Sequence, residues 1–193
     1  IHLSQQVIIN NLMTEHNLFL SSITKPTPYR SGYPVDKVHR KNDLPQHVLD
    51  EAEQMLRSIV RSFNWIAMAT RPDIATITNL LSHHLHNAVP GHVTAAKHVL
   101  RYLIGTIDLG IEFSPLPNTT ADAFVKSPLD PNTTTSLTDA NWGPQDQSLP
   151  HPTDIIWMGG SLHWMSKRKS ITARSSANAE IYAIDKFVTF SKI

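Results

Sequence analysis

The stretch Thr135-Ser136-Leu137-Thr138-Asp139-Ala140-Asn141 carries one charge in seven residues, and that charge sits inside what otherwise reads as a strand. Downstream, residues 155–158 read as a second strand, Gly159-Gly160 as a tight turn, and 161–167 as the partner strand of a hairpin. Ser175-Ser176 can cap a closing helix over about 177–191, with Ala177, Ile181, Ile184 and Val188 as its apolar stripe. The grammar of this third of the chain is strand, strand, strand, helix.

Upstream the grammar is helical. Residues 5–16 predict a short amphipathic helix with Val7, Ile8 and Leu12 on one face and Ser4 as its cap. Residues 22–46, with Pro26, Pro28, Pro34 and Pro45 and little periodicity, predict an extended loop. A long helix over about 47–69 follows from Leu49, Ala52, Leu56, Ile59, Phe63 and Ile66, spaced by threes and fours. It should stop at Thr70-Arg71, because Pro72 disfavours the helical conformation in the residue before it. Pro72 and Asp73 suit the first turn of a further helix to about His86. Another is expected over 92–104, where Ala96, Val99, Leu100 and Leu103 share a face and Gly105 supplies a stop. Residues 110–113 could form a short strand. Residues 114–133, rich in Pro, Asn, Thr and Asp, read as a linker. The fold class is therefore α+β, helical first and sheet-plus-helix second.

Composition narrows the chemistry. The chain has 193 residues, 40% hydrophobic and 17% charged, with 13 prolines and a formal net charge of +1. Charge is sparse beside the roughly 25% of ordinary domains, and no global basic field announces a nucleic-acid binder. There is no cysteine, so disulfides, thiolate zinc sites and cysteine nucleophiles are excluded. No apolar run approaches a membrane span and no signal peptide heads the chain, which leads us to expect an intracellular protein without membrane contact. The Asn118 and Asn132 sequons then count as chance matches. The first residue is Ile1 and the last expected helix is unfinished at Ile193, as in an excerpt from something longer.

Asp139 and Glu180 are the most informative pair. Glu180 lies three residues after Ala177, four before Ile184 and seven before Phe187, on the edge of the expected apolar stripe. A carboxylate drawn toward a core is costly unless a cation or donors compensate it. Two of them, one from a strand and one from the helix packed on its sheet, could converge on Mg²⁺ or Mn²⁺, which favour oxygen ligands. The plainer alternative has Asp139 ending a strand and Glu180 solvated. Lys167, Arg168, Lys169 and Arg174 form a cationic cluster that could contact phosphates or could be a solvated loop. Lys97 and Arg101, an i, i+4 like-charge pair with Thr94 on the same face, invite an anionic partner or are an exposed polar face. His83, His84, His86, His92 and His98 crowd together without HExxH or any familiar zinc spacing. No GxSxG, P-loop or GxGxxG occurs.

Several blocks resemble a known family. Trp65-Ile66-Ala67-Met68-Ala69-Thr70-Arg71-Pro72-Asp73-Ile74 and Ala95-Ala96-Lys97-His98-Val99-Leu100-Arg101-Tyr102-Leu103-Ile104-Gly105-Thr106 are similar to the region after the palm of copia-type retrotransposon reverse transcriptases. Thr138-Asp139-Ala140-Asn141-Trp142, Trp164-Met165-Ser166-Lys167-Arg168-Lys169 and Ser175-Ser176-Ala177-Asn178-Ala179-Glu180 resemble the opening of the ribonuclease H that follows it in the Pol polyprotein. Order and spacing agree across nearly the whole chain. The resemblance implies a thumb-like or connection-like helical region at 1–113, a linker at 114–133, and the N-terminal half of a ribonuclease H-like fold at 134–193, namely three antiparallel strands and then a helix.

It also implies RNA-directed DNA synthesis and cleavage of RNA in RNA–DNA hybrids as the family activities. Asp139 and Glu180 would be catalytic metal ligands for Mg²⁺ (or Mn²⁺). Lys97, Arg101, Lys167, Arg168, Lys169 and Arg174, read from their charge rather than from the resemblance, would be the nucleic-acid contacts. The partners would be an RNA–DNA hybrid or other nucleic acid and the rest of the polyprotein. The paired polymerase aspartates and the later nuclease aspartates of the family have no counterpart here, so weak or absent metal binding and no activity of this piece alone are expected. Asn141, Asn178 and Arg61 depart from the family pattern. A nucleic-acid-binding remnant and a decayed transposon fragment are the competing readings.

Overall fold

A computed structural model describes residues 1–18, 24–29, 44–113, 135–141, 151–157, 161–166 and 175–190, with the backbone alone for 135–137, 139–141, 151–157, 161–162 and 186–190. The expected linker at 114–133, the Gly159-Gly160 turn and most of the 22–46 loop lie outside the described residues. The chain divides into two compact units, Ser4–Gly110 and Ile1–Leu3 with Ile111–Ile193.

The helical unit contains α1 (Gln6–Glu15), α2 (Gln46–Ala69), a 3₁₀ turn (Pro72–Ile74), α3 (Ala75–Ser82) and α4 (Pro90–Gly105). All six residues of the expected α2 stripe are buried, and Phe63 is fully enclosed. Ala52, Leu56, Ile59, Phe63 and Ile66 meet Ile74, Ile77 and Leu81 from the next segment and Ala96, Val99, Leu100 and Leu103 from α4 in one core. α2 ends where Thr70 and Arg71 both donate their amides to Ile66 O, at 3.1 and 3.0 Å. Pro72 forces that exit by its restriction on Arg71.

Three local expectations are corrected. α1 is not capped by the Ser4 side chain, and its buried face is Ile9, Leu12 and Met13, whereas Val7 is 72% exposed. The helix expected over 72–86 is a 3₁₀ turn followed by eight residues of α3, and 83–86 are turns. Asp73 answers a neighbouring guanidinium rather than a helix dipole alone. α4 starts at Pro90 itself, where a missing N–H costs nothing, and His92 Nδ1 accepts the Val89 N–H at 3.1 Å.

The second unit contains β1 (His2–Leu3), β2 (Ile111–Glu112), β3 (Thr135–Asn141), β4 (His151–Trp157), β5 (Ser161–Ser166) and α5 (Ser176–Phe190). β1 and β2 pair antiparallel, and Ile1 and Phe113 exchange two backbone bonds of 2.8 Å. β3, β4 and β5 form an antiparallel sheet in sequence order. β4 reaches four residues further back than expected, through Pro152, which pairs opposite Ala140. A proline is tolerated in a strand where its nitrogen owes no ladder bond. α5 packs against β3 and β4.

The apolar stripe expected on α5 is also corrected. Ile181 and Ile184 are 61% and 51% exposed and Ala177 is exposed, while Ala179 and Ala183 are buried with Tyr182 against them. Small residues let the helix approach the sheet closely, so the face with the larger side chains is not the one covered. Val188 falls where only the backbone is described.

Candidate functional site

Asp139 lies in β3 opposite Thr153 of β4, and Thr153 in turn lies opposite Ser166 of β5. Directly opposed residues of an antiparallel sheet share a face, so these three make one cross-strand row. Leu137, Ile155 and Trp164 make the next row on that face. Ser166 is buried and Trp164 half-buried, whereas His163, on the opposite face, is exposed. Register therefore places Asp139 in the cross-strand row that ends at buried Ser166.

Glu180 is half-buried in the second turn of α5, beside buried Ala179. Its position is on the flank of a buried alanine line, not on the stripe of Ala177 and Ile184 that the spacing suggested. Ser175 fixes the start of the helix, its Oγ accepting the Asn178 N–H at 3.1 Å. Carboxylates with hydroxyl neighbours are hard oxygen donors of the type Mg²⁺ and Mn²⁺ favour. Among the described residues no group of three or more His, Cys, Asp or Glu gathers as a metal site. The histidine cluster shows packing instead, with the His84 and His92 rings stacked 4.2 Å apart.

Lys167, Arg168, Lys169 and Arg174 lie outside the described residues. Lys97 and Arg101 occupy α4 but have different surroundings. Arg101, with Thr94, lines a cleft of about 240 Å³ together with Lys25, Tyr29, Ile77, Ala95 and His98. Lys97 lies near His16. Burial is the main force holding the His16 ring below its ordinary value; Glu15 opposes it and Lys97 adds to it. Arg61, where the family pattern has Gly, is exposed.

One charged network was only partly foreshadowed by the sequence. Arg71 is 1% exposed. Its Nε and Nη2 donate to Asp73 Oδ1 and Oδ2 at 3.0 and 2.8 Å, and its Nη1 and Nη2 donate to Thr106 O and Oγ1 at 2.9 and 2.7 Å. Tyr102 Oη donates to Asp73 Oδ2 at 2.6 Å. Burial pushes the Asp73 carboxyl up, but the Arg71 and Tyr102 hydrogen bonds and the Arg71 charge outweigh it and hold the group below its usual value. The Arg-Pro-Asp order hints at the ion pair, while nothing local points to Thr106. The network ties the exit of α2 to the end of α4 and is structural.

Compared with known proteins, the chain is 32% identical over 189 residues to the retrovirus-related Pol polyprotein from transposon RE2 of Arabidopsis thaliana, covering 95% of this chain and 11% of that protein. It is 31% identical over 193 residues to the corresponding polyprotein from transposon RE1 of the same plant, again 95% and 11%. A secreted RxLR effector protein of Plasmopara viticola, number 161, is 28% identical over 131 residues, covering 67% of this chain and 83% of the effector. The chain thus spans about a tenth of the length of the two polyproteins it matches. No family model matches, and no solved structure matches.

Proposed function

The chain belongs to the Pol polyproteins of copia-type retrotransposons, and from that premise we propose that it carries the end of the reverse transcriptase and the first half of a ribonuclease H-like domain. Residues 1–113 are the thumb-like or connection-like part, 114–133 the linker and 134–193 the nuclease part. The substrate class of that nuclease is an RNA–DNA hybrid. Lys167, Arg168, Lys169 and Arg174 would meet its phosphates.

The observation that supports this best is the three-stranded antiparallel sheet backed by α5, with Asp139 in the cross-strand row of buried Ser166 and Glu180 half-buried on the helix against that sheet. Asp139 and Glu180 would hold Mg²⁺. When bound, such ions activate water and stabilise the leaving oxygen of a phosphodiester. Thr153 and Ser166 occupy the same cross-strand row as Asp139, and Asp139 and Glu180 are carried by a strand and a helix rather than by loops. Two carboxylates alone bind the ion weakly, so this chain by itself does not cleave hybrid above the level of D139A.

The test is a Mn²⁺ titration of the chain followed by amide NMR. Broadening should centre on residues around 139 and 180 and disappear in both D139N and E180Q. Broadening that persists in both variants, or that centres elsewhere, would refute the assignment.

A further inference from the structure

The cleft on α4 has a composition that the nuclease reading leaves unused. Among the described residues Lys25 and Arg101 both line it, no carboxylate does, and neither cation takes part in an ion pair. Buried Ile77 and Ala95 provide apolar wall, and the ring of Tyr29 and the hydroxyl of Thr94 complete the lining. Cation, hydroxyl, aromatic ring and apolar wall are thus brought together in one small space.

The outer wall, residues 24–29, is seated on α4 at two points. His98 Nε2 is 3.1 Å from Thr27 O. At the far end Thr24 sits so close to Gly105 that an added Cβ there would lie 2.8 Å from Thr24 Cβ. Glycine at the last residue of α4 is what lets the segment lie down. Lys25 and Tyr29 are therefore carried by a segment held against the helix that presents Arg101, an arrangement that lowers the ordering cost of binding.

We propose that this cleft binds a nucleotide, with its phosphate between Lys25 and Arg101 and its base against the Tyr29 ring over Ile77 and Ala95. Guanidinium and ammonium groups suit a phosphate dianion, and aromatic rings stack on any base. A volume of about 240 Å³, just under the roughly 300–1,000 Å³ typical of drug-sized ligands, admits at most one nucleotide, with part of it outside the cleft, and is far too small for a duplex. The ligand is either a free nucleoside monophosphate or the terminal nucleotide of a single strand. All the described lining residues belong to the helical unit, and the site stands whether or not Asp139 and Glu180 hold a metal.

Calorimetric titration of the whole chain with AMP, GMP, adenosine, inorganic phosphate and a short 5′-phosphorylated oligonucleotide tests it. A monophosphate should bind more tightly than adenosine or phosphate, and removing one charged contact in R101Q or K25Q should weaken it by about tenfold or more. Y29A should weaken the nucleotide but leave inorganic phosphate unchanged. Binding of the oligonucleotide without the free monophosphate, with the same response to R101Q and K25Q, assigns the ligand to a strand end. K25Q and Y29A change a surface segment and leave the helical core intact, so a folding failure of R101Q does not spoil the test. No binding of either nucleotide form, phosphate binding as tightly as AMP, or affinities untouched by K25Q and Y29A would overturn the proposal.

Discussion

Tyr102, on α4, donates a 2.6 Å hydrogen bond to the Asp73 carboxylate of the 3₁₀ turn, and its ring centroid lies 5.4 Å from the Arg71 guanidinium carbon. That one contact closes a ring of Arg71, Asp73, Tyr102 and Thr106, because Thr106 Oγ1 accepts from Arg71 and donates to Tyr102 O at 2.8 Å. A guanidinium buried to 1% exposure is tolerable because every hydrogen bond it makes here has a defined partner.

Removing the guanidinium should cost far more than removing the phenol. Breaking a buried pair from one side typically costs about 3–5 kcal/mol, which is the expectation for R71A in urea unfolding. Y102F should lose about 1.5–3 kcal/mol, the range for hydrogen bonds to charged groups. R71K should fail to rescue, since an ammonium cannot reproduce the planar fork. Equal effects of R71A and Y102F would show that the pair is not the support it looks to be.

The same network makes stability depend on pH at both ends. Asp73 has a folded value below its ordinary 3.8, so its contribution is present above about that pH and is lost as pH falls through the lower folded value. Burial first, and then the Asp73 hydrogen bond and charge, raise Tyr102 above 10.0. Its contribution is present below that pH and is lost as pH rises through the higher folded value. Unfolding midpoints measured across pH should lose the acid limb's dependence in D73N and the alkaline limb's in Y102F.

His16 should act in a third window. Its folded value lies below 6.5, chiefly because it is buried, and its Nε2 has no hydrogen-bond partner among the described residues. The neutral ring is favoured in the fold, so stability is present above pH 6.5 and declines as pH drops through the lower folded value. H16F should flatten this decline, read as the change in thermal midpoint between mildly acidic and neutral buffer. An unchanged slope in H16F would assign the decline to another group.

Gly105→Ala should disturb the 24–29 segment although alanine favours helix by about 1 kcal/mol. The new Cβ would meet Thr24 Cβ at 2.8 Å, so the segment must shift. The His98 ring resonances, sensitive to the bond with Thr27 O, should move in G105A and return in G105A/T24G. No movement in G105A would mean that the contact is relieved locally.

The two readings of α5 make opposite predictions for single substitutions. Ala183 is fully buried, and adding methylenes in A183L should cost about 1–3 kcal/mol through overpacking. I181S and I184S alter exposed positions and should stay within about 0.5 kcal/mol of the parent. If the serine variants are the damaging ones, the stripe expected from spacing is the covered one after all.

The stripe of α2 was readable because a helix that buries one face must repeat its apolar residues near 3.6, and Leu49 to Ile66 obey that period without exception. The stops at Pro72 and Gly105, and the strand limits Thr135–Asn141, follow from equally local chemistry. Asp139 and Glu180 stood out because a carboxylate in apolar company is conspicuous in any context. The faces of α1 and α5 depart from their apolar spacing because hydrophobicity says which side chains gain most from burial, not how closely a neighbour can approach. On α5 the alanines won over the isoleucines for that reason.

Local periodicity and proline placement in the sequence alone determined the type and approximate limits of α1, α2, α4, β3, β5 and α5, whereas the β1 strand and the 3₁₀ turn at Pro72–Ile74 were not among the expectations. Tertiary structure alone decided that Arg71 is buried against Thr106, 35 residues away, that Lys25 joins Arg101 in one cleft, and that Asp139 shares a row with Ser166. Each of these depends on where a distant segment comes to rest. Near-neighbour spacing constrains a residue's own turn or strand; burial and charge pairing are properties of the packed whole.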